Sequence, residues 1–433
     1  MTIPDRGGGR VAMVMETIRQ RVAGRALTAG ARLPSIRQMA RMAGVSPSTV
    51  VEAYDRLVAE GLIGSRPGSG FYVAAQAAPL ELARVGPRRD RASDNDPMSA
   101  GLFRADEAVL ADYATPLGLA PLRQLIARRL ADKGVEAAPE RIVLTESGTQ
   151  AIDLICRLVL EPGDTVVVDD PCYFNFQALL RAHRVTVAGV AHTPSGPDIA
   201  AFAAALAAHR PKLYITNAAI HNPTGATLSA ATAHRVLKLA EDFSMTVVED
   251  DIFADFEHRP APRLAAFDGL ERVIQIGSFS KTLSASARCG FIAARGDWVE
   301  RLVDLKIATT FGGGRLDAAL VLRVLTDSVY RKHCETLRTR LARARAEVGT
   351  RLKRIGLKPW LEPQAGMFLW CALPQGVDAA DVARRALEHE VVLAPGNVFS
   401  VSQSATGFLR FNVAQCPEPV FAVLDQALRE ARG

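Results

Sequence analysis

Apolar positions near the start of the chain recur at helical spacing. Val11, Val14, Met15, Ile18 and Val22 predict an amphipathic helix over roughly residues 11–27, broken at Gly30. Ser35, followed three residues later by Gln38, has the form of a capping box and starts a second helix, which stops near Ala43-Gly44. Ser46-Pro47 starts a third: serine suits the N-cap, and proline suits the first helical position, where a missing N–H is no loss. Val50, Ala53, Tyr54 and Leu57 give this helix one buried face, and Gly61 ends it. Two apolar runs, at residues 62–63 and 71–73, flank a Gly/Pro turn. They predict a hairpin with Arg66 and Gly68 at its tip.

Two short helices joined by a tight glycine-containing turn form a helix-turn-helix, and the hairpin adds a wing. Such a unit offers the N-terminal residues of its last helix to the DNA major groove. Here these are Ser46, Ser48 and Thr49, all hydrogen-bonding side chains. A three-helix protein-interaction module has the same pattern, and charge helps to separate the two. Residues 1–91 hold 14 Arg, no Lys and 7 Asp and Glu, a net of +7, so the other residues sum to −1 against a total of +6. By itself that charge suits a nucleic-acid partner and a solvated Arg-rich face equally. Joined to the polar helix start and the Arg-bearing wing, it favours double-stranded DNA. Residues 76–98, rich in Ala, Pro, Arg and Asp and without periodicity, read as a linker between residues 1–75 and 99–433.

Beyond residue 110 the pattern changes to short apolar runs alternating with helical stretches. Strands are expected at residues 141–144, 165–168, 212–216, 246–248 and 273–276, with a helix over 151–160. This rhythm argues an α/β fold with a mostly parallel sheet between helices, a large part at about 112–325 and a smaller C-terminal α+β part at about 330–433. The longest purely apolar run is only ten residues, Ile199 to Ala208, too short to span a membrane. No basic, apolar and cleavable leader opens the chain, and the six cysteines never form CxxC. The expectation is a cytoplasmic protein with reduced thiols and no metal.

Each expected strand ends in polar residues, where ligands of such sheets bind. Gly148 and Thr149 open a helix after the first strand and can offer N–H groups to a phosphate. Tyr173, Asn222 and Asp250 follow three others, and Ser278 and Lys281 follow the fifth. Together these suit pyridoxal phosphate, which needs a lysine for a Schiff base, an acid opposite its ring nitrogen and a phosphate cup. Lys281, Asp250, and Gly148, Thr149, Ser278 and Arg288 fill those roles in turn. Tyr173 can stack on the ring, and Asn222 can bond its hydroxyl. His221 beside Asn222 reads as structural. Gly312-Gly313-Gly314 reads equally as a lid hinge and as a plain connection.

Residues 8–75 resemble the GntR-type winged helix, carried by "LPSIRQMARMAGVSPSTVVEAYDRLVAEGLIGSRPGSGFYV". The resemblance implies DNA contacts from Arg37, the start of the third helix and the wing. Many relatives carry Arg where Pro47 stands. Residues from about 110 onward resemble fold-type I aminotransferases, through "YATPLGLAPLRQLIA", "HNPTG", "VVEDD", "SFSKTL" with Arg288 seven residues after the lysine, and "FLRFNVA". This resemblance implies that Arg410 receives a ligand carboxylate. It also implies that Tyr113 reaches the cofactor phosphate of the other subunit, in a head-to-tail homodimer. Relatives place a tyrosine shortly after the aspartate, where this chain has Ile252 and Phe253. The fusion of the two parts is the layout of MocR-type transcriptional regulators. The expectation is therefore a regulator that senses pyridoxal phosphate or an amine or amino-acid effector. An active aminotransferase carrying a DNA-binding domain is the alternative.

Overall fold

A computed structural model describes residues 8–23, 27, 31–59, 62–66, 70–73 and 115–432. Gly30, Gly61, Gly68, Tyr113 and the linker at 76–98 lie outside the described residues.

The N-terminal unit holds helices α1 (Gly8–Ala23), α2 (Ile36–Ala43) and α3 (Pro47–Ala59), then strands β1 (Ile63–Arg66) and β2 (Gly70–Val73). Val11, Val14, Met15, Ile18 and Val22 of α1 pack with Val50, Ala53, Tyr54 and Leu57 of α3 in one core. Ser35 caps α2 by accepting the Gln38 N–H at 3.3 Å, and Gly44 ends the helix in the left-handed conformation (φ 63°). That conformation suits glycine, which has no Cβ to clash. β1 and β2 pair antiparallel. Leu33 N–H donates to the Phe71 carbonyl and Val73 N–H to the Ala31 carbonyl, so residues 31–33 extend the hairpin sideways. The Tyr54 hydroxyl donates to the Pro34 carbonyl at 2.8 Å, tying α3 to the start of α2.

The second unit begins with α4 (Ala120–Ala131), β3 (Ile142–Thr145) and α5 (Gly148–Val159). Then follow β4 (Thr165–Asp170), α6 (Phe174–Ala182), β5 (Thr186–Thr193), β6 (Gly196–Pro197), α7 (Ile199–His209) and β7 (Leu213–Thr216). The run continues through α8 (Ala230–Asp242), β8 (Thr246–Asp250), α9 (Leu264–Asp268), β9 (Val273–Ser278) and β10 (Gly290–Ala293). Eight strands form one sheet in the order β3-β10-β9-β8-β7-β4-β5-β6. The neighbours from β9 to β5 are parallel, while β10 and β6 run antiparallel. The central strands are buried on both faces, so they read as unbroken apolar runs. Alternation sends Val167, Tyr214, Val247 and Val273 into one core, and Val166, Ile215, Val248 and Ile274 into the other. Gly290 sits where a Cβ would lie 2.9 Å from the Ser147 carbonyl carbon, so only glycine lets β10 pass so close to that turn.

α10 (Gly296–Thr310), α11 (Arg315–Thr326) and the long α12 (Ser328–Arg354) lead to a four-stranded antiparallel sheet. Its strands, β11 (Lys358–Pro359), β12 (Phe368–Ala372), β13 (Ala394–Pro395) and β14 (Phe408–Asn412), lie in the order β11-β12-β14-β13. In the chain α13 (Ala379–Glu388) lies between β12 and β13, and α14 (Glu418–Ala431) follows β14. All six cysteines are free thiols, five of them buried. Among the described residues, no helix is long and apolar enough to cross a membrane.

Candidate functional site

The parallel strands β3, β9, β8, β7 and β4 all end at one edge of the sheet, and the candidate residues gather there. At β3, Ser147 caps α5 by accepting the Gln150 N–H at 3.1 Å, while the Gln150 side chain accepts the Glu146 N–H at 2.7 Å. The N–H groups of Gly148 and Thr149 lie in the first turn of α5 and have no carbonyl partner within the helix. Gly148 is buried, and a Cβ on it would lie 3.9 Å from both Ser278 Cβ and Ile252 Cδ1. The α5 N-terminus therefore abuts the end of β9. The Ser278 hydroxyl lies 3.0 Å from that of Ser280 and donates to the Cys289 carbonyl at 3.3 Å. Arg288, the next residue back, is exposed.

Residues 249–251 show how a strand sorts three acids. Successive side chains of β8 point to opposite faces. Glu249 turns away from the edge and accepts the Leu264 and Ala265 N–H groups, both at 2.9 Å, capping α9. Asp251 bonds the wholly buried Arg263 at 3.0 Å and Gln275 at 3.1 Å. Asp250 alone is left for the site. Its Oδ1 accepts the Ile252 N–H at 3.1 Å, and Asn217 donates to its backbone carbonyl at 3.2 Å. Burial pushes the Asp250 carboxyl up to about 7, opposed by the Ile252 N–H, the Asn217 amide and the nearby Lys281 ammonium. Lys281 lies in the turn after β9, with its side chain exposed.

Tyr173 stands at the head of α6, with its ring edge-on to Phe174 and Phe176. Burial raises its hydroxyl pKa, the Asp250 charge raises it further, and Arg410 opposes. Arg410 comes from β14. Its Nη1 donates to Asn222 Oδ1 at 3.2 Å, and its guanidinium lies between the rings of Phe368 (4.9 Å) and Phe399 (4.8 Å). Burial draws it down to about 10. Its Nε is buried without a hydrogen-bond partner among the described residues. A cation held by aromatic faces, with a buried donor still unused, fits an incoming carboxylate. A deep carboxyl at Asp250, held by a backbone N–H and not by a buried arginine as Asp251 is, fits a protonated ring nitrogen in the same way.

Asn222 thus bonds Arg410 in this structure. Behind it, His221 and His192 stack at 3.9 Å and flank Asp169, whose carboxylate also accepts the Tyr214 and Thr216 hydroxyls at 2.7 and 2.6 Å. His221 is completely buried and bonded to Thr224, and burial pushes its pKa down to about 4. It supports the turn that carries Asn222. Ile252 and Phe253 bring no hydroxyl; Phe253 is buried edge-on to Phe368 at 5.3 Å. Asn217 was not singled out from the sequence. Its signal was a polar residue directly after an apolar strand, the same signal that marks Asp250.

In the N-terminal unit, Ser46 accepts the Thr49 N–H at 3.3 Å, and its hydroxyl lies 2.8 Å from those of Ser48 and Thr49. Arg37, Ser46 and Ser48 are exposed and Thr49 is half-buried. Arg66 closes β1.

Residues 90–428 match the aminotransferase class I and II family, and residues 10–73 match the gntR family of bacterial regulatory proteins. The chain is 30% identical to the uncharacterized HTH-type transcriptional regulator YdcR of Escherichia coli (strain K12), over 92% of this chain and 94% of that protein. It is 27% identical to a 2-aminoadipate transaminase of Thermus thermophilus, over 81% of this chain and 86% of the relative. Among solved structures it is similar to the alpha-aminoadipate aminotransferase LysN from Thermus thermophilus, complexed with N-(5'-phosphopyridoxyl)-L-leucine. The TM-score is 0.70 at 27% identity, covering 79% of this chain and 88% of that one.

Proposed function

The chain belongs to the class I and II aminotransferase family, with a gntR-type regulatory domain ahead of it, and we propose that it is a DNA-binding transcriptional regulator switched by ligands at its pyridoxal phosphate site. The cofactor, when bound, supplies an electrophilic carbon that exchanges lysine for an incoming amine. In this reading Lys281 is the resting amine. Asp250 holds the ring nitrogen protonated, and the start of α5 with Ser278 and Arg288 receives the phosphate. Tyr173 covers the ring, and Asn222 orients the ring edge and Arg410 together. Arg410 takes the carboxylate of an amino-acid effector. Arg37, Ser46, Ser48, Thr49 and the wing with Arg66 and Gly68 face operator DNA. The working form is a homodimer in which Tyr113 completes the phosphate cup of the other subunit.

The observation that carries the reading is that Asp250, Lys281, Tyr173 and Asn222 stand at or just after the ends of parallel strands, with Arg410 of the small sheet bonded to Asn222, in a chain that also holds a winged helix. An effector can act only if it binds the DNA-competent and DNA-incompetent states unequally. The test is the visible spectrum of the loaded protein during titration with amino acids and amines, followed in parallel with DNA binding. A band that shifts, persists and tracks a change in DNA affinity supports a sensor. Lys281→Ala should abolish both responses; a ligand response of DNA binding that survives it refutes the mechanism. Repeated turnover to keto acid without any change in DNA binding would favour the aminotransferase reading, for which the presence of Lys281, Asp250 and Arg410 is the supporting observation.

A further inference from the structure

α12 carries nine Arg and Lys against two Glu, a net of +7, although residues 92–433 as a whole sum to −1. Its inner side, with Tyr330, Leu337, Leu341 and Leu352, is buried. Several of its cations are engaged. Arg338 donates to the Asp255 carbonyl at 2.9 Å, Arg345 to the Gln364 carbonyl at 3.2 Å, and Lys353 to Glu362 at 2.6 Å. Lys332, Arg343 and Arg354 are different. They are exposed, and among the described residues their side chains make no hydrogen bond or ion pair.

These three recur every eleven residues. At about 100° per residue, eleven residues overshoot three full turns by only about 20°, so the side chains stand in line. Neighbours are about 16.5 Å apart, and the row is about 33 Å long. That is close to one turn of B-form DNA, about 34 Å. Glu335 lies about 60° to the side of Lys332, and Glu347, within about 40° of Arg343 and Arg354 around the helix, is neutralised by Arg351 at 3.3 Å.

We propose that this face of α12 is a second DNA-contacting surface, which lies along the phosphates of duplex DNA outside the stretch held by the winged helix. The argument is charge complementarity. A row of uncommitted cations on a domain that is otherwise net acidic matches a polyanion that the chain already binds through its other unit. The 23 linker residues at 76–98 can span up to about 75 Å if fully extended, enough for both units to engage one duplex. The proposal rests on the DNA-binding reading above.

The test uses the full-length protein and the triple variant Lys332→Gln/Arg343→Gln/Arg354→Gln. Binding is measured by fluorescence anisotropy on random-sequence duplexes of about 16 and about 50 base pairs, from about 50 to about 200 mM potassium chloride. Each phosphate contact adds about 0.9 to the slope of log affinity against log salt. On the long duplex the unmodified chain should therefore lose about 40-fold more affinity than the variant over that range. On the short duplex, which only the winged helix fills, the two should coincide. Equal salt slopes on the long duplex overturn the proposal, and so does an equal loss on both lengths. Binding of neither duplex by the unmodified chain is the separate failure of the DNA-binding reading. Charge-preserving Lys332→Arg/Arg343→Lys/Arg354→Lys should keep the full slope, and circular dichroism checks the fold of both variants. Binding to phosphatidylserine vesicles that only the Gln variant loses, with DNA binding unchanged, assigns the face to a lipid surface instead.

Discussion

Replacing Asp250 with Asn should stabilise the cofactor-free protein and destabilise the loaded one. Asp250 is 7% exposed, and burial lifts its carboxyl from an ordinary 3.8 to about 7. A carboxyl whose folded pKa lies above its unfolded value holds its proton more tightly in the folded chain. Its stabilising contribution is complete below pH 3.8, fades as the pH rises, and is gone above about 7. The span of about three pH units, at ~1.36 kcal/mol each, amounts to about 4 kcal/mol. About 3 kcal/mol of that falls between pH 5 and pH 8. Asn has no proton to lose, so the cofactor-free Asp250→Asn protein should gain on the parent by about 3 kcal/mol over that interval.

With pyridoxal phosphate bound the order reverses. The buried carboxylate then faces a protonated ring nitrogen, an ion pair that Asn cannot form, and one-sided loss of a buried pair typically costs about 3–5 kcal/mol. Urea unfolding followed by tryptophan fluorescence reads this directly, because Trp298, Trp360 and Trp370 all lie in the second unit. It should be run at pH 5 and pH 8, with and without cofactor. Parallel pH dependence of the two cofactor-free proteins would refute the assignment of the buried, raised carboxyl to Asp250. A variant stabilised by the cofactor as strongly as the parent would refute its pairing with the ring.

Three further outcomes follow from the geometry. Arg410→Lys removes a planar two-pronged donor and should weaken amino-acid effectors about 10–100-fold while leaving carboxylate-free amines unchanged, as read by titration of the visible band. Ser46→Ala removes the cap on the Thr49 N–H and should lower the stability of the winged helix by about 1 kcal/mol, with no change in the cofactor spectrum; thermal melting followed by circular dichroism measures it. Arg263→Ala strands the buried Asp251 and Glu257 carboxylates and should destabilise the second unit by about 3–5 kcal/mol in urea, whether or not cofactor is present.

The five strands expected from the sequence are those whose side chains are buried on both faces, which makes them continuous apolar runs. β5 gave no such signal: three of its residues are exposed and four half-buried, with Val190 its one buried residue, so it reads as mixed. β10 is as short, as apolar and as buried as β3 and β7 and was nevertheless not expected; its antiparallel place between β3 and β9 is set by partners far away in sequence. The small sheet was equally silent, because two of its strands are two residues long.

The site was more legible than the fold around it. Ligand chemistry gathers where apolar runs stop, and a stop is a local signal. What the stop cannot supply is direction. The expected end of β8 at residue 248 leaves three acids in a row with no way to choose among them by alternation. Once β8 is seen to run on to Asp250, period-two geometry sends 249 and 251 to α9 and Arg263 and leaves one carboxyl at the edge. Asn217 depends on a longer link, since its value comes from the parallel register that sets Thr216 beside Glu249 and so brings the next residue of each strand together. A polar residue at a strand end, such as Asn217, carries only a weak signal until the strands are paired, whereas Lys281 is identified by the chemistry of its own side chain and Arg410 by the motif around it.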